Sequence, residues 1–420
     1  MNRTRLLSLM LVAALDASAF VATPSAAPQA PPAAPAGPAM QGRGGAPPVR
    51  SPEVGTDQRV TFRLRAPNAN DVAVAIGGKQ LPMQKDAQGL WSLTTDPMAP
   101  DIYTYSLVVD GATMNDPSNR QAQTSFTGFQ SMFMVAGPAA WLPAPGVPRG
   151  AIARHAFHSA VADDDRDFFV YTPPGYDARR AQPYPVLYLL HGLGDDAERW
   201  MNGGAANHIL DNLIVQRKAV PMIVVTPLGY GTSTGPAGGR TPENIMGYAK
   251  ILLEEVMPVV DKAYNVSRNR EQRAIAGLSM GGAESLYVGL KNLDKFAWIG
   301  AFSSAPMLWG AAPPDAGRGG ARGAGAGRGA GAAPQMMDET VFAKTFPGLD
   351  AKANSRLRML WIVCGTSDGL IGVNRQFKGW LKSKGVEFTE QEVPDMGHVW
   401  PLWRQNLTDM VPRLFQPKRN

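Results

Sequence analysis

The chain reads as an α/β protein, a mostly parallel sheet covered by helices, preceded by a small all-β sandwich. Three features lead there. From about residue 150 to 417, near-continuous short apolar runs alternate with segments whose apolar residues recur at helical spacing. This is the pattern of strands buried on both faces and joined by crossover helices. Before it, residues 56–140 hold several short runs of period two, separated by glycine-containing turns and lacking any helical pattern. Finally, the apolar run Ala274-Ile275-Ala276 passes directly into Gly277-Leu278-Ser279-Met280-Gly281-Gly282, a strand entering a glycine-flanked turn and then a helix.

Taken in order, the first 26 residues have the form of an export signal. Arg3 and Arg5 precede the apolar stretch Leu6 to Leu15, which is too short to span a bilayer. Small residues follow, with candidate cleavage sites at Ala17-Ser18-Ala19 and Ser25-Ala26, although Asp16 interrupts the pattern. Nothing later approaches transmembrane length. The expected product is exported, periplasmic or extracellular, with no membrane contact after signal removal. Residues 27–55 are mostly Ala, Pro and Gly and read as an extended linker.

In the sandwich region, Val60, Phe62 and Leu64 alternate with Thr61, Arg63 and Arg65. Val72 to Ile76 ends at Gly77-Gly78, Leu90 to Leu93 makes another strand, and Ile102 to Val109 closes on Asp110-Gly111. The segments Gly89-Leu90-Trp91, Tyr103-Thr104-Tyr105, Val109-Asp110-Gly111 and Asp116-Pro117-Ser118-Asn119 carry a resemblance to known modules. They resemble the immunoglobulin-like (CBM48-like) modules that precede glycogen-branching and debranching enzymes and some bacterial esterases. The resemblance implies a polysaccharide contact through exposed aromatics, with Trp91 as the candidate. The preferred reading makes Trp91 and Tyr105 core residues of a module that supports the second domain.

The second domain, residues 150–417, opens with the strand Phe168 to Tyr171 and its turn at Pro173-Pro174-Gly175. The buried strand Pro185 to Leu190 runs into His191-Gly192-Leu193-Gly194. Met222 to Val225 is a further strand. Ala206 to Arg217 and Asn244 to Tyr264 read as helices, with Ile209, Leu210, Leu213 and Ile214 on one face of the first. The alternation continues through Ala297 to Phe302, Met359 to Cys364, and an alternating strand from Val386 to Val393. One segment breaks the pattern: 310–334 is almost wholly Gly, Ala, Arg and Pro and is expected to be unstructured.

Composition excludes several functions. The single cysteine, Cys364, rules out an intrachain disulfide and a cysteine zinc cluster. The net charge of +6 is modest and partly carried by the leader and by residues 310–334, leaving no coherent basic face for nucleic acid. His155 and His158 lack the acidic or cysteine company a metal would need, so no metal and no cofactor is expected.

The remaining signal is catalytic. Gly277-Leu278-Ser279-Met280-Gly281 has the G-x-S-x-G form of a nucleophile elbow, in which a strained turn lifts the serine hydroxyl above the sheet. A serine needs a base, and the base an orienting carboxylate, in the chain order Ser, Asp or Glu, His. Of five histidines only His398 follows Ser279. It lies in a loop after a strand, where a catalytic base belongs. Asp368 follows the neighbouring strand and is preferred as the acid to Asp395, which shares the loop of His398 and suits a turn-capping role. Backbone donors for an oxyanion are expected from Met280 and Leu193, with Gly192 the alternative to the latter. His191 then shapes its loop.

Leu253-Glu254-Glu255-Val256-Met257-Pro258, Arg273 through Gly282, His191-Gly192-Leu193-Gly194 with Trp200, and Gly397-His398-Val399-Trp400-Pro401 together resemble the esterase D/feruloyl esterase family of α/β hydrolases, of carbohydrate esterase family 1 type. The resemblance implies an α/β-hydrolase fold and cleavage of carboxylic esters, often feruloyl or acetyl groups on plant xylan. Gly192, Trp200 and Trp400 are candidate substrate contacts; Trp200, Trp309 and Trp400 are candidates to stack on a feruloyl ring, with a core role the equal alternative. An N-terminal sandwich before such a domain is also similar to enterochelin esterases. The expected substrate is a small-molecule or polysaccharide-linked ester. A siderophore esterase, an acyltransferase and an inert carbohydrate-binding protein are the alternatives.

Overall fold

The computed structural model describes residues 48–126, 128–239, 241–304, 306 and 340–416. The expected signal peptide, the linker up to residue 47, Trp309 and the segment 310–334 lie outside the described residues.

The N-terminal part is built from two antiparallel sheets. One is four-stranded, in the order Glu53–Val54, Val60–Arg65, Leu90–Thr94, Gln84–Lys85. The other is six-stranded, running Lys79–Pro82, Val72–Ile76, Ile102–Val109, Gly128–Met134, Ala122–Ser125, with Ala112–Met114 paired to Ile102–Val109. The alternating residues Val60, Phe62 and Leu64 turn inward onto Val72, Val74, Tyr105, Leu107 and Phe133. Ordered structure begins ahead of the boundary expected at residue 56. Glu53–Val54 pairs with Val60 and Thr61, and buried Ser51 donates to the Asp116 carboxylate at 2.5 Å. Proline-rich composition concealed this short edge strand. Trp91 is buried and its indole N–H donates to the Ala66 carbonyl at 2.9 Å, so its faces are core and cannot receive a sugar.

The second domain is one eight-stranded mixed sheet: β1 Ala151–Ser159, β2 Asp164–Thr172, β3 Val186–Leu190, β4 Ile223–Pro227, β5 Arg273–Leu278, β6 Trp298–Phe302, β7 Met359–Gly365 and β8 Thr389–Val393. The spatial order is β1-β2-β4-β3-β5-β6-β7-β8, antiparallel as far as β2–β4 and parallel from there on. Its helices are α1 Arg199–Asn202, α2 Ala206–Val215, α3 Pro242–Lys250, α4 Met257–Ala263, α5 Met280–Lys291, α6 Thr340–Thr345, α7 Ile371–Ser383 and α8 Trp400–Met410. Central strands are buried on both faces, as their unbroken apolar sequences require. Val186, Tyr188 and Leu190 of β3 join the core under α3 to α7, whereas Leu187 and Leu189 join the core under α1, α2 and α8.

Two elements differ from their expected form. The helix expected over Asn244 to Tyr264 is continuous but passes through a π-helical stretch, Ile251–Val256, between α3 and α4. Pro258 has no N–H to give to the carbonyl four residues back, and the wider turn just before it accommodates that loss. The strand expected from Val386 shortens to Thr389–Val393 at the sheet edge. There Glu390 and Glu392 hold Lys378, Lys382 and Arg375 in ion pairs of 2.6–2.8 Å, which blunts the open edge.

Candidate active site

Ser279 sits between β5 and α5 with φ 54° and ψ −112°, a conformation unfavourable for any residue with a side chain. What holds it there is the close approach of its neighbours. A Cβ on Gly277 would stand 2.5 Å from the Gly281 carbonyl oxygen, and one on Gly281 2.5 Å from that of His191. The Ser279 N–H donates to the Phe302 carbonyl at 2.9 Å, and the Gly281 N–H to the His191 carbonyl at 3.0 Å. The elbow is thus clamped to β6 on one side and to the end of β3 on the other.

The loops after β7 and β8 bring two more side chains to this point. The His398 ring lies with Nε2 3.0 Å from Ser279 Oγ and Nδ1 2.9 Å from Asp368 Oδ2. Asp368 is a fully buried carboxyl whose second oxygen accepts the Leu370 N–H at 2.9 Å. Burial by itself would raise its pKa, but the hydrogen bond and charge of His398, with the Leu370 N–H, hold it below the ordinary aspartate value. Asp395 takes no part. It is exposed, and its backbone N–H donates to Thr366 Oγ1 at 2.9 Å. With Nδ1 protonated toward the carboxylate, Nε2 presents a lone pair to the serine hydroxyl. The arrangement can accept the Ser279 proton and stabilise the resulting imidazolium.

The third contribution comes from the loop after β3. Met280 opens α5, so its N–H has no intrahelical acceptor. Gly192 lies against the nucleophile: a Cβ there would be 2.7 Å from Leu278 Cδ1 and 3.5 Å from Ser279 Cβ. Leu193 follows in a turn closed by Asp195 N–H to Gly192 C=O at 3.2 Å, with Gly194 at φ +89°. His191 is buried. Its Nδ1 donates to the Gly192 carbonyl at 2.8 Å and its Nε2 accepts the Gly229 N–H at 2.8 Å. Burial pushes its pKa down to about 4, so the ring is a neutral brace between two loops.

The aromatic candidates divide. Trp200 is fully buried and its indole N–H donates to the Leu190 carbonyl at 2.8 Å. It is core, which corrects its expected place among substrate contacts. Motif proximity to His191 had no means of separating core from rim. Trp400 is half-buried, edge-on to Trp200 and Trp403, with the Arg199 guanidinium 5.1 Å from its ring centroid. Two residues to which the sequence assigned no site role also matter: Trp403, part of the family motif only, and Tyr230. Trp403 packs edge-on against the His398 ring at 4.8 Å, and Tyr230 donates to Asp195 C=O while accepting the Gly194 N–H. The Trp400-to-Trp403 step is an i,i+3 pair at the start of α8, which places both rings near the His398 loop; nothing local marks Tyr230. His155 and His158 are occupied by Tyr264 and Asp165, and among the described residues no cluster of His, Cys, Asp and Glu could hold a metal ion. A cavity between the sandwich and helices α1 and α2, lined by Ile102, Met132, Met134, Met201 and His208, contains none of these site residues.

The chain is similar to several known proteins. An endo-1,4-beta-xylanase/feruloyl esterase from Xylanibacter ruminicola is 28% identical over 377 residues, covering 87% of this chain and 46% of that protein. The chain therefore spans less than half the length of that relative. An acetyl esterase from Caldicellulosiruptor saccharolyticus is 24% identical over 236 residues, covering 53% of the chain and 80% of the relative. Among solved structures, a CE1 ferulic acid esterase from Anaeromyces mucronatus has 25% identity and a TM-score of 0.52, covering 66% of this chain and 96% of its own. The enterobactin esterase from Shigella flexneri, at 20% identity and a TM-score of 0.56, covers 86% of this chain and 93% of its own, and so shares the fold. The fold is that of an α/β hydrolase preceded by antiparallel β-structure. The Esterase family model matches residues 159–414, more than half of the sequence, and the chain belongs to that family.

Proposed function

We propose that this protein is an exported serine carboxylic ester hydrolase acting on feruloyl or acetyl esters of plant polysaccharide. The observation that carries the reading is the relay Ser279–His398–Asp368, with contacts of 3.0 and 2.9 Å between residues far apart in the chain. Ser279 Oγ attacks the ester carbonyl while His398 Nε2 takes its proton. Asp368 keeps the imidazole oriented and balances its charge. The N–H groups of Met280 and Leu193 stabilise the oxyanion. The tetrahedral species collapses, the alcohol leaves with the proton from His398, and a water activated by the same imidazole releases the acid. Trp400 is the candidate contact for an aromatic acyl group. The choice of acyl group draws on the feruloyl and acetyl esterases among the relatives, and export on the N-terminal leader pattern; no helix of the described residues is long and apolar enough to cross a membrane.

The test is hydrolysis of methyl ferulate, acetylated xylan, a siderophore trilactone and p-nitrophenyl acetate by the wild type and Ser279→Ala. Ferulate or xylan acetate should lead the panel, and Ser279→Ala should retain its fold but no turnover above background. Undiminished turnover in that variant refutes the serine mechanism; preference for the trilactone refutes the substrate class.

A further inference from the structure

We infer that the N-terminal sandwich is part of the catalytic apparatus: its outer edge strand, ending at Phe126, braces the turn that presents the Leu193 N–H, with Phe126 and Tyr230 as positioning residues. This rests on the ester-hydrolase reading above.

Ala122–Ser125 is the last strand of its sheet and pairs on one side only, with Gly128–Met134. Residues 122, 124 and 126 turn their backbone groups to the open side, where an unpaired edge is ordinarily a liability. Here three of them are used. The Ala122 carbonyl accepts from Asn202 Nδ2 at 2.9 Å and the Thr124 carbonyl from Arg199 Nη1 at 2.8 Å. The Phe126 N–H donates to the Gly194 carbonyl at 3.1 Å. These three contacts all go to the segment from Gly194 to Asn202, which begins at the oxyanion turn.

The same turn is gripped from its other side. Tyr230, fully buried, accepts the Gly194 N–H at 2.8 Å and donates to the Asp195 carbonyl at 3.0 Å. The Phe126 ring packs edge-on against Tyr230 with centroids 5.2 Å apart, and a Cβ on Gly235 would stand 2.6 Å from it. Both polar groups of Gly194 are therefore held by residues outside the loop, one from the sandwich and one from the segment after β4. A loop N–H aimed at a developing oxyanion contributes only while its direction is maintained, and small misplacements are costly. The sandwich and Tyr230 add that constraint to the turn bond and the His191 contact at Gly192.

The test uses the full chain and three variants: Phe126→Ala, Tyr230→Phe, and Phe129→Ala as control, since Phe129 is an exposed ring on the same hairpin. Each is assayed for kcat and KM on p-nitrophenyl acetate, for affinity toward a trifluoromethyl ketone that forms a tetrahedral adduct, and for Tm. Phe126→Ala and Tyr230→Phe should lose about tenfold in kcat, less than the loss on deleting an oxyanion donor outright. They should lose the same factor in affinity for the ketone, with KM within about twofold; Phe129→Ala should match wild type. If both variants, folded by Tm and circular dichroism, bind the ketone as wild type does, the bracing role is wrong. Ser279→Ala separates the two claims. Undiminished turnover there sinks the hydrolase reading itself, whereas a dead Ser279→Ala beside unaffected brace variants sinks this inference alone.

Discussion

Replacing Asp368 with Asn tests the relay at its most constrained point. The carboxyl is fully buried and its two oxygens have different partners: Oδ1 accepts the Leu370 N–H and Oδ2 faces His398 Nδ1. An asparagine has one oxygen. If it stays on the Leu370 N–H, the amide NH2 is forced to the Oδ2 position and points at the ring. The ring Nδ1 must then accept, its proton moves to Nε2, and Nε2 meets the Ser279 hydroxyl as a donor. The alternative flip leaves the Leu370 N–H facing a donor in a buried site, a cost of about 1–3 kcal/mol. The wrong tautomer is thus selected locally, and a loss of about 10³–10⁴ in kcat/KM is expected, or about 4–5 kcal/mol of transition-state stabilisation. The assay is p-nitrophenyl acetate hydrolysis at pH 7 with Tm as the fold check. Asp395→Asn serves as control; Asp395 is exposed with φ 58°, which asparagine tolerates, and should stay near wild type. Activity of Asp368→Asn within tenfold of wild type would refute the tautomer argument, and loss in Asp395→Asn instead would reassign the acid.

Further predictions concern the elbow and its surroundings. Gly281→Ala places a methyl 2.5–2.6 Å from the carbonyl oxygens of His191 and Leu190, so β3 or α5 must move; activity should fall at least tenfold and Tm should drop. Gly379→Ala, in α7 with open space around the new Cβ, should instead raise unfolding free energy by about 0.5–1 kcal/mol, measured by urea denaturation. Burial lowers the His191 pKa from 6.5 to about 4, so the unfolded chain binds the extra proton first as pH falls. The stability it supports is complete above pH 6.5 and declines toward pH 4, by up to about 3 kcal/mol. Urea unfolding across that window should show the decline, flattened in His191→Gln; equal slopes would refute it.

The sequence by itself determined the α/β class, the all-β region before it and which segments form the buried central strands. Apolar runs buried on both faces and period-two runs buried on one are local patterns, written in consecutive residues. The elbow was legible for the same reason, since Gly277 and Gly281 answer a backbone crowding within five residues of Ser279. Asp368 and His398 stood out as candidates because strand-terminal loops and chain order restrict the choice. What only the tertiary structure decided depends on contacts between distant segments. The sequence left Trp200 open between core and ring contact and favoured core for Trp91; packing buries both and gives each indole a backbone carbonyl. The hydrogen bond that joins Phe126, just after the edge strand, to the turn at Gly194 is likewise silent in sequence. Backbone hydrogen bonds across 68 residues are made by N–H and C=O groups that every residue carries, so no side-chain pattern announces them.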